Sequence, residues 1–243
     1  MRVAALYDVH GNLPALEAVL AEVEREGVDA IVSGGDVVAG GPFPLETFGL
    51  LRSLGDRVVW VRGNGDREWT PEAEGIWGER TVWAAAHLHH AEREFLHDLP
   101  DTATLEIDGL GPVLFCHATP RSDEEILTEA SPESRWEDAL DGVAEAVVVC
   151  GHIHMQSDRE VAARRVVNAG SVGMPYEGRP GAYWALIGPD VELRRTEYDV
   201  AAAAERMLAT GFPAVDEHVE ENVLASPTRE EATAYFEALA AEV

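Results

Sequence analysis

Asp8 and His10, Asp36, Asn64, His117, and His152 with His154 are the residues of this chain best suited to chemistry. They fall in five short patches, each directly after an apolar run at 3–7, 30–33, 58–61, 113–116 or 147–150. A short apolar stretch closed by turn residues reads as a buried strand. Each patch is therefore polar chemistry at the C-terminal end of a core strand, where α/β sheets place their sites. Mixed carboxylate, imidazole and amide donors suit Mn, Fe, Zn or Ni better than Ca or Mg. Seven such ligands exceed the needs of one ion and suit two ions sharing a carboxylate. Two-metal sites with ions roughly 3.5–4 Å apart recur in phosphate-ester hydrolysis.

The elements that must position these residues follow from periodicity. Strand 2–7 leads through Asp8–Asn12 into a helix over 13–26, where Leu13, Leu16, Val19, Leu20 and Val23 recur at helical spacing. Asn12 can cap that helix, with Pro14 in its first turn and Gly27 just past its end. Strand 30–33 follows promptly, as in a βαβ crossover. A helix over 44–54, strand 58–62 and a helix over 81–98 come next. Strands 103–108 and 112–117 meet at Asp108-Gly109, and short helices are expected at 123–129 and 133–141. Strand 146–150 is followed by three further strands in 164–198, with turns at 170–173, 178–181 and 188–190. The Ala/Glu-rich stretch 200–243 returns to helix. This order predicts an α/β chain of two packed sheets flanked by helices. We expect a single domain over 1–243, with 199–243 as a helical extension.

Composition narrows the partners. The net charge is −27, and all 18 basic side chains are arginine. Such an excess of acid repels phosphate backbones, so long nucleic acid is an unfavourable partner. The N-terminal apolar run is too short for a signal peptide and no stretch is long enough to span a bilayer, so a soluble, cytoplasmic protein is expected. Cys116 and Cys150 form no disulfide framework and read as small core residues. The histidines at 87, 89, 90 and 97 read as a solvated helix face.

Taken together, Asp8-Val9-His10-Gly11-Asn12, Gly35-Asp36, Gly63-Asn64-Gly65-Asp66, His117-Ala118 and Gly151-His152-Ile153-His154 resemble the signature of calcineurin-like metallophosphoesterases. The tract Asn168-Ala169-Gly170-Ser171-Val172-Gly173 is similar to a turn of their small prokaryotic phosphodiesterase branch. The resemblance runs over about residues 1–198 and implies a four-layer α/β/β/α sandwich. It also implies two divalent transition-metal ions, manganese foremost, with Fe, Zn or Ni as substitutes. Asp8, His10 and His154 would hold the first ion, Asn64, His117 and His152 the second, and Asp36 would bridge them. Asp36, Asn64 and His117 would thereby serve catalysis, with a hydroxide between the ions attacking phosphorus in line.

One position departs from that pattern. Many relatives carry histidine where this chain has Gly65, and that histidine can protonate the leaving group. Its loss typically costs on the order of 10²–10⁴-fold for a leaving group that needs a proton. A small-molecule phosphodiester is therefore the expected substrate. The alternatives are a phosphomonoesterase, a dinucleoside-polyphosphate hydrolase, or a non-catalytic interaction module on the same fold. Asp66, which normally supports the missing histidine, is left without an assigned role. Asn12, Arg62, Arg67 and Ser171 are candidate substrate contacts, with Arg121 a weaker one, and Trp69 and Trp77 are placed to line a substrate mouth. Asn12 serves equally as a helix cap, and Ser171 as part of a structural turn. The sequence leaves room for a homo-oligomer without specifying one.

Overall fold

The computed structural model describes residues 1–67 and 75–241. In its first half, β1 (Val3–Leu6), α1 (Leu13–Glu26), β2 (Ala30–Ser33), α2 (Pro44–Ser53) and β3 (Val58–Trp60) form two successive crossovers. Two helices follow, α3 (Gly75–Ala86) and α4 (His90–His97), before the hairpin of β4 (Thr102–Ile107) and β5 (Gly111–Cys116). Then come α5 (Glu133–Ala139), β6 (Val147–Cys150), β7 (Gln156–Val161), β8 (Arg164–Ala169), β9 (Ala182–Ile187) and β10 (Val191–Thr196). The chain closes with α6 (Val200–Leu208), α7 (Val215–Val219), a π-helical turn over Glu220–Leu224, and α8 (Arg229–Ala240).

The strands make two five-stranded sheets, ordered β10-β9-β1-β2-β3 and β4-β5-β6-β8-β7. In the first, β1, β2 and β3 run parallel; in the second, β5, β6 and β8 do. Alternation along β1 shows why the sheets stack. Ala4 and Leu6 face α1 and α2 among Leu16, Val19, Ile31 and Phe48. Val3, Ala5 and Tyr7 face the other way, onto Val113, Phe115, Val149 and Val167 of the second sheet. The far side of that sheet, Leu114, Cys116, Val148 and Cys150, is covered by Trp136, Ala139 and Leu140. The result is an α/β/β/α sandwich, with both cysteines in its core.

Three local expectations need correction. The stretch 123–129 is irregular, because Thr119 and Ser122 pair with each other, Arg121 and Thr119 hold the Glu125 carboxylate, and Ser131 Oγ accepts from Thr128 N. Side-chain bonds of this kind compete with helix. The single helix expected over 81–98 is two, because Glu92 reaches back to the His89 N–H and starts a new helix there. Strand β7 escaped the sequence reading altogether. Gln-Ser-Asp-Arg-Glu-Val has no apolar alternation, and it pairs only with β8 at the sheet edge.

Candidate metal centre

The parallel strands β1, β2, β3, β5 and β6 end along one edge of the sandwich, and the loops that leave them carry all seven candidate ligands. Backbone bonds tie these loops together: Asp8 N donates to Gly35 O (3.1 Å), His10 N to Asp36 O (2.9 Å) and Gly151 N to His117 O (2.8 Å). Asp8, His10, Asp36, His152 and His154 all sit in the left-handed region, with φ of 52°, 46°, 53°, 69° and 57°. For non-glycine residues that conformation costs about 1–3 kcal/mol each. Five of the seven candidate ligands thus share this strained conformation, which fits a local role beyond packing. Gly151 belongs to the same design, since a Cβ there would lie 2.5 Å from Asp8 Oδ2.

The histidine tautomers are fixed by backbone carbonyls, which only accept. His10 Nδ1 donates to Ala39 O (2.6 Å), His117 Nδ1 to Gly34 O (2.9 Å) and His154 Nδ1 to Met174 O (2.7 Å). Each Nε2 therefore presents a lone pair to the centre. His10 Nε2 and His154 Nε2 lie 3.1 Å apart, and Asp8 Oδ1 is 3.3 Å from His154 Nε2. Asp8 Oδ1 is buried and has no hydrogen-bond partner among the described residues. Converging lone pairs beside an orphaned carboxylate oxygen repel one another unless a cation joins them, so the residues present fit a metal ion.

A second group is formed by Asp8, Asp36 and His117. His117 Nε2 lies 3.7 Å from Asp36 Oδ2 and 3.2 Å from Asn64 Oδ1, and the His152 ring is 5.2 Å from that of His117. Asp36 Oδ2 is 3.8 Å from His10 Nε2, almost the same as its distance to His117 Nε2. Asp8 Oδ1 also reaches both groups but lies closer to His154 (3.3 Å) than to His117 (3.8 Å). Burial would raise the Asp8 carboxyl, yet His154, His117 and His10 around it hold it well below the ordinary range. Burial and the neighbouring His117 bring His152 down to about 4, so its imidazole is neutral at neutral pH.

Asp66 has a clear task. Its carboxylate accepts from Asp36 N (2.8 Å), Gly63 N (3.0 Å) and Val37 N (3.1 Å), clamping the β2 and β3 loops together. It is fully buried, and burial together with the Asp36 charge pushes it up to about 7.

Residues 1–187 match the model of the calcineurin-like phosphoesterase superfamily domain. The chain belongs to that superfamily. A metallophosphoesterase of Sphaerobacter thermophilus is 29% identical, with a TM-score of 0.70 over 93% of this chain and 99% of that one. A hypothetical protein of Pyrococcus horikoshii gives 0.77 at 25% identity, over 90% and 97% of the two chains. The symmetrical bis(5′-nucleosyl)-tetraphosphatase of Klebsiella pneumoniae is 35% identical over 129 residues, 51% of this chain but only 46% of that enzyme. This chain is thus a metallophosphoesterase, of a superfamily that works with divalent metal ions, and the described residues offer two Asp/His groups able to bind them. No helix among the described residues is long and apolar enough to cross a membrane.

The candidate substrate contacts of this phosphoesterase separate into two kinds. Asn12 and Ser171 are turned into the fold. Asn12 caps α1 by accepting from Ala15 N and donates to Gly173 O, while Ser171 Oγ donates to Asp8 O and accepts from Met174 N. Both are buried, so the structure gives them positioning work rather than a substrate-facing place. Arg62, Arg67 and Arg121 line one cleft of about 150 Å³ beside the Asn64 loop. Each is already paired there: Arg62 with Asp101, Arg67 with Asp123 and Glu124, Arg121 with Glu125. Trp77 stands edge-on to the His10 ring at 5.8 Å, at the rim of the site; Trp69 lies outside the described residues.

Sequence reasoning missed Tyr176, whose ring stacks on His154 at 4.7 Å, and His218 of α7. Nothing in the spacing of either residue announces a partner. His218 is buried with neither ring nitrogen hydrogen-bonded among the described residues, and burial together with the nearby positive charge of Arg80 brings it down to about 3. The unfolded chain protonates this imidazole near pH 6.5. Folding is therefore penalised as pH falls from about 6.5 towards 3, at about 1.4 kcal/mol per pH unit. His218→Leu is expected to raise stability at pH 7 by about 1–2 kcal/mol and to move the acid midpoint downward. Urea unfolding at pH 7 and pH 5 checks this; a stability gain no larger at pH 5 than at pH 7 contradicts it.

Proposed function

We propose that this chain is a dinuclear phosphodiesterase acting on small phosphate diesters, with Asp8, His10 and His154 holding one divalent ion, Asn64, His117 and His152 the other, and Asp36 between them. The imidazole-rich donor set favours manganese, iron, zinc or nickel. When bound, the ions would polarise the phosphoryl oxygens and supply a nucleophilic water at neutral pH. The chain's own contribution is to fix the ligand tautomers and to hold the Asp8 and Asp36 carboxylates out of water at the site, with Asp66 buried behind them. That buried negative charge offsets much of the charge of two dications, which favours a singly charged ester over a dianionic one. The chain acts as one domain in this reading, since 199–243 contributes α8 to a packed cluster with Ile153 and Met155, next to the ligand histidines.

The observation that carries the diester preference is the backbone at Gly65. Its N–H donates to Asp36 Oδ1 (2.7 Å), and a Cβ there would lie 2.8 Å from Ala39 Cβ and 3.1 Å from Asp36 Oδ1. The position that could carry an acid instead orients the bridging carboxylate, and Ala39 occupies the space a larger side chain would need. Bis(p-nitrophenyl) phosphate is therefore expected to be cleaved at least about tenfold faster than p-nitrophenyl phosphate with Mn²⁺. A monoester rate well above the diester rate would sink the proposal. Gly65→His alone should lower stability by about 1–3 kcal/mol without raising the monoester rate. Combined with Ala39→Gly, it should raise that rate. A polyphosphate substrate is the second reading, favoured by the three arginines of the Arg62 cleft; hydrolysis of diadenosine tetraphosphate in the same assay tests it.

A further inference from the structure

Beside the first ligand set lies a cleft of about 390 Å³ that the ligand motifs do not form. Its floor is Tyr176, which stacks on His154 (4.7 Å between centroids, 29° between planes) and donates its N–H to His154 O (3.1 Å). One ring therefore separates the cleft from a metal ligand. Its other walls come from the C-terminal region: Glu221 and Asn222 in the π-helical turn, Glu231 and Tyr235 in α8.

The wall is anchored to the site by alternation within a single loop. His152 and His154 belong to the ligand set, while Ile153 and Met155 pack against Ala232 and Phe236 of α8. Arg229 at the start of α8 pairs with Glu177 and Glu129, fixing the helix beside Tyr176. The position of α8 and that of the ligand loop are thus set together.

The lining chemistry selects a class of occupant. Tyr235 is 61% exposed and lines the cleft together with Tyr176, so two aromatic rings border the space in which a planar group would lie. Asn222 supplies an amide with both donor and acceptor capacity, one N–H of which is bound to His218 O (3.3 Å). Glu221 and Glu231 put negative charge at the rim, and Glu231 is held ionised by its capping bonds from Thr228. A second phosphate is unwelcome on this side.

We propose that this cleft receives the organic group of the ester, and that the group is a neutral, planar-ring-bearing alcohol of the nucleoside class with no further phosphate on that side. The proposal rests on the phosphoesterase reading for its catalytic meaning but is tested by binding as well. The full chain reloaded with Mn²⁺, and its Tyr235→Ala variant, are titrated calorimetrically with adenosine. Saturable binding to the wild type, weakened roughly tenfold in the variant, is the expected result, since aromatic stacking on a base is worth about that much. In parallel, the KM for thymidine 5′-(p-nitrophenyl phosphate) should rise by a similar factor at constant kcat, while both constants for methyl p-nitrophenyl phosphate stay unchanged. Absence of adenosine binding to the wild type, or a Kd that Tyr235→Ala changes less than twofold, overturns the proposal. If neither ester is cleaved yet adenosine binding depends on Tyr235, the cleft assignment stands and the phosphoesterase reading alone falls.

Discussion

Asp36→Ala is expected to lower phosphodiesterase activity by at least about 10³-fold while leaving the metal-free protein as stable as the parent, or more so. The activity loss follows from position: Asp36 Oδ2 is 3.8 Å from His10 Nε2 and 3.7 Å from His117 Nε2, so it stands between the two ligand groups. Removing a preorganised electrostatic element from an active site costs on the order of 10²–10³-fold even when the rest of the site survives. In the proposed two-ion centre the loss would also deprive both ions of their shared ligand. The stability expectation has the opposite sign. Without metal, Asp36 lies buried near Asp8 and Asp66, and its charge pushes the Asp66 carboxyl upward. Truncating it relieves that repulsion, partly offset by the lost bond from Gly65 N. Thermal unfolding in chelator, beside hydrolysis with Mn²⁺, separates the two effects. Activity retained within tenfold would show that Asp36 does not bridge the ions.

Asp66→Ala should do the reverse and act first on the fold. Three backbone N–H groups, of Asp36, Val37 and Gly63, end on this one buried carboxyl. Truncation leaves three buried N–H groups without their acceptor, at a cost of about 3–5 kcal/mol. For a chain of this size that corresponds to a Tm lower by roughly 6–20 °C. Metal affinity should fall with it, because the clamp sets the backbone that presents Asp36 and Asn64. Asp66→Asn keeps one good acceptor oxygen and should lose less than half as much. A Tm within about 2 °C of the parent in Asp66→Ala would contradict the clamp.

Asp66 also shows where sequence stops being informative. The candidate ligands are legible as a group because each follows an apolar run, and a strand's C-terminal end in a parallel sheet is a place the chain can be read to reach. The two-sheet sandwich was legible for the same reason: runs such as Val147-Val148-Val149-Cys150 demand burial on both faces. Asp66 had lost the partner that gave it meaning, and its actual partners are backbone groups, which no residue type reveals. Asn12 and Ser171 were read as candidate substrate contacts because they flank the ligands, yet loop-to-loop bonds turn them inward. His218 and Tyr235 gain their neighbours only when the C-terminal helices pack onto the fold, and Tyr176 meets His154 through a loop whose path no residue type reveals. Strand β7 was hidden because a sheet edge places little demand on its sequence.

A metal titration of the wild-type chain tests most directly whether the seven residues hold two ions. Protein stripped by chelator, reloaded with Mn²⁺ and freed of excess metal should retain two ions per chain by elemental analysis. Bis(p-nitrophenyl) phosphate hydrolysis should rise in step with the second ion. Full hydrolysis at one ion per chain or fewer would contradict the dinuclear centre.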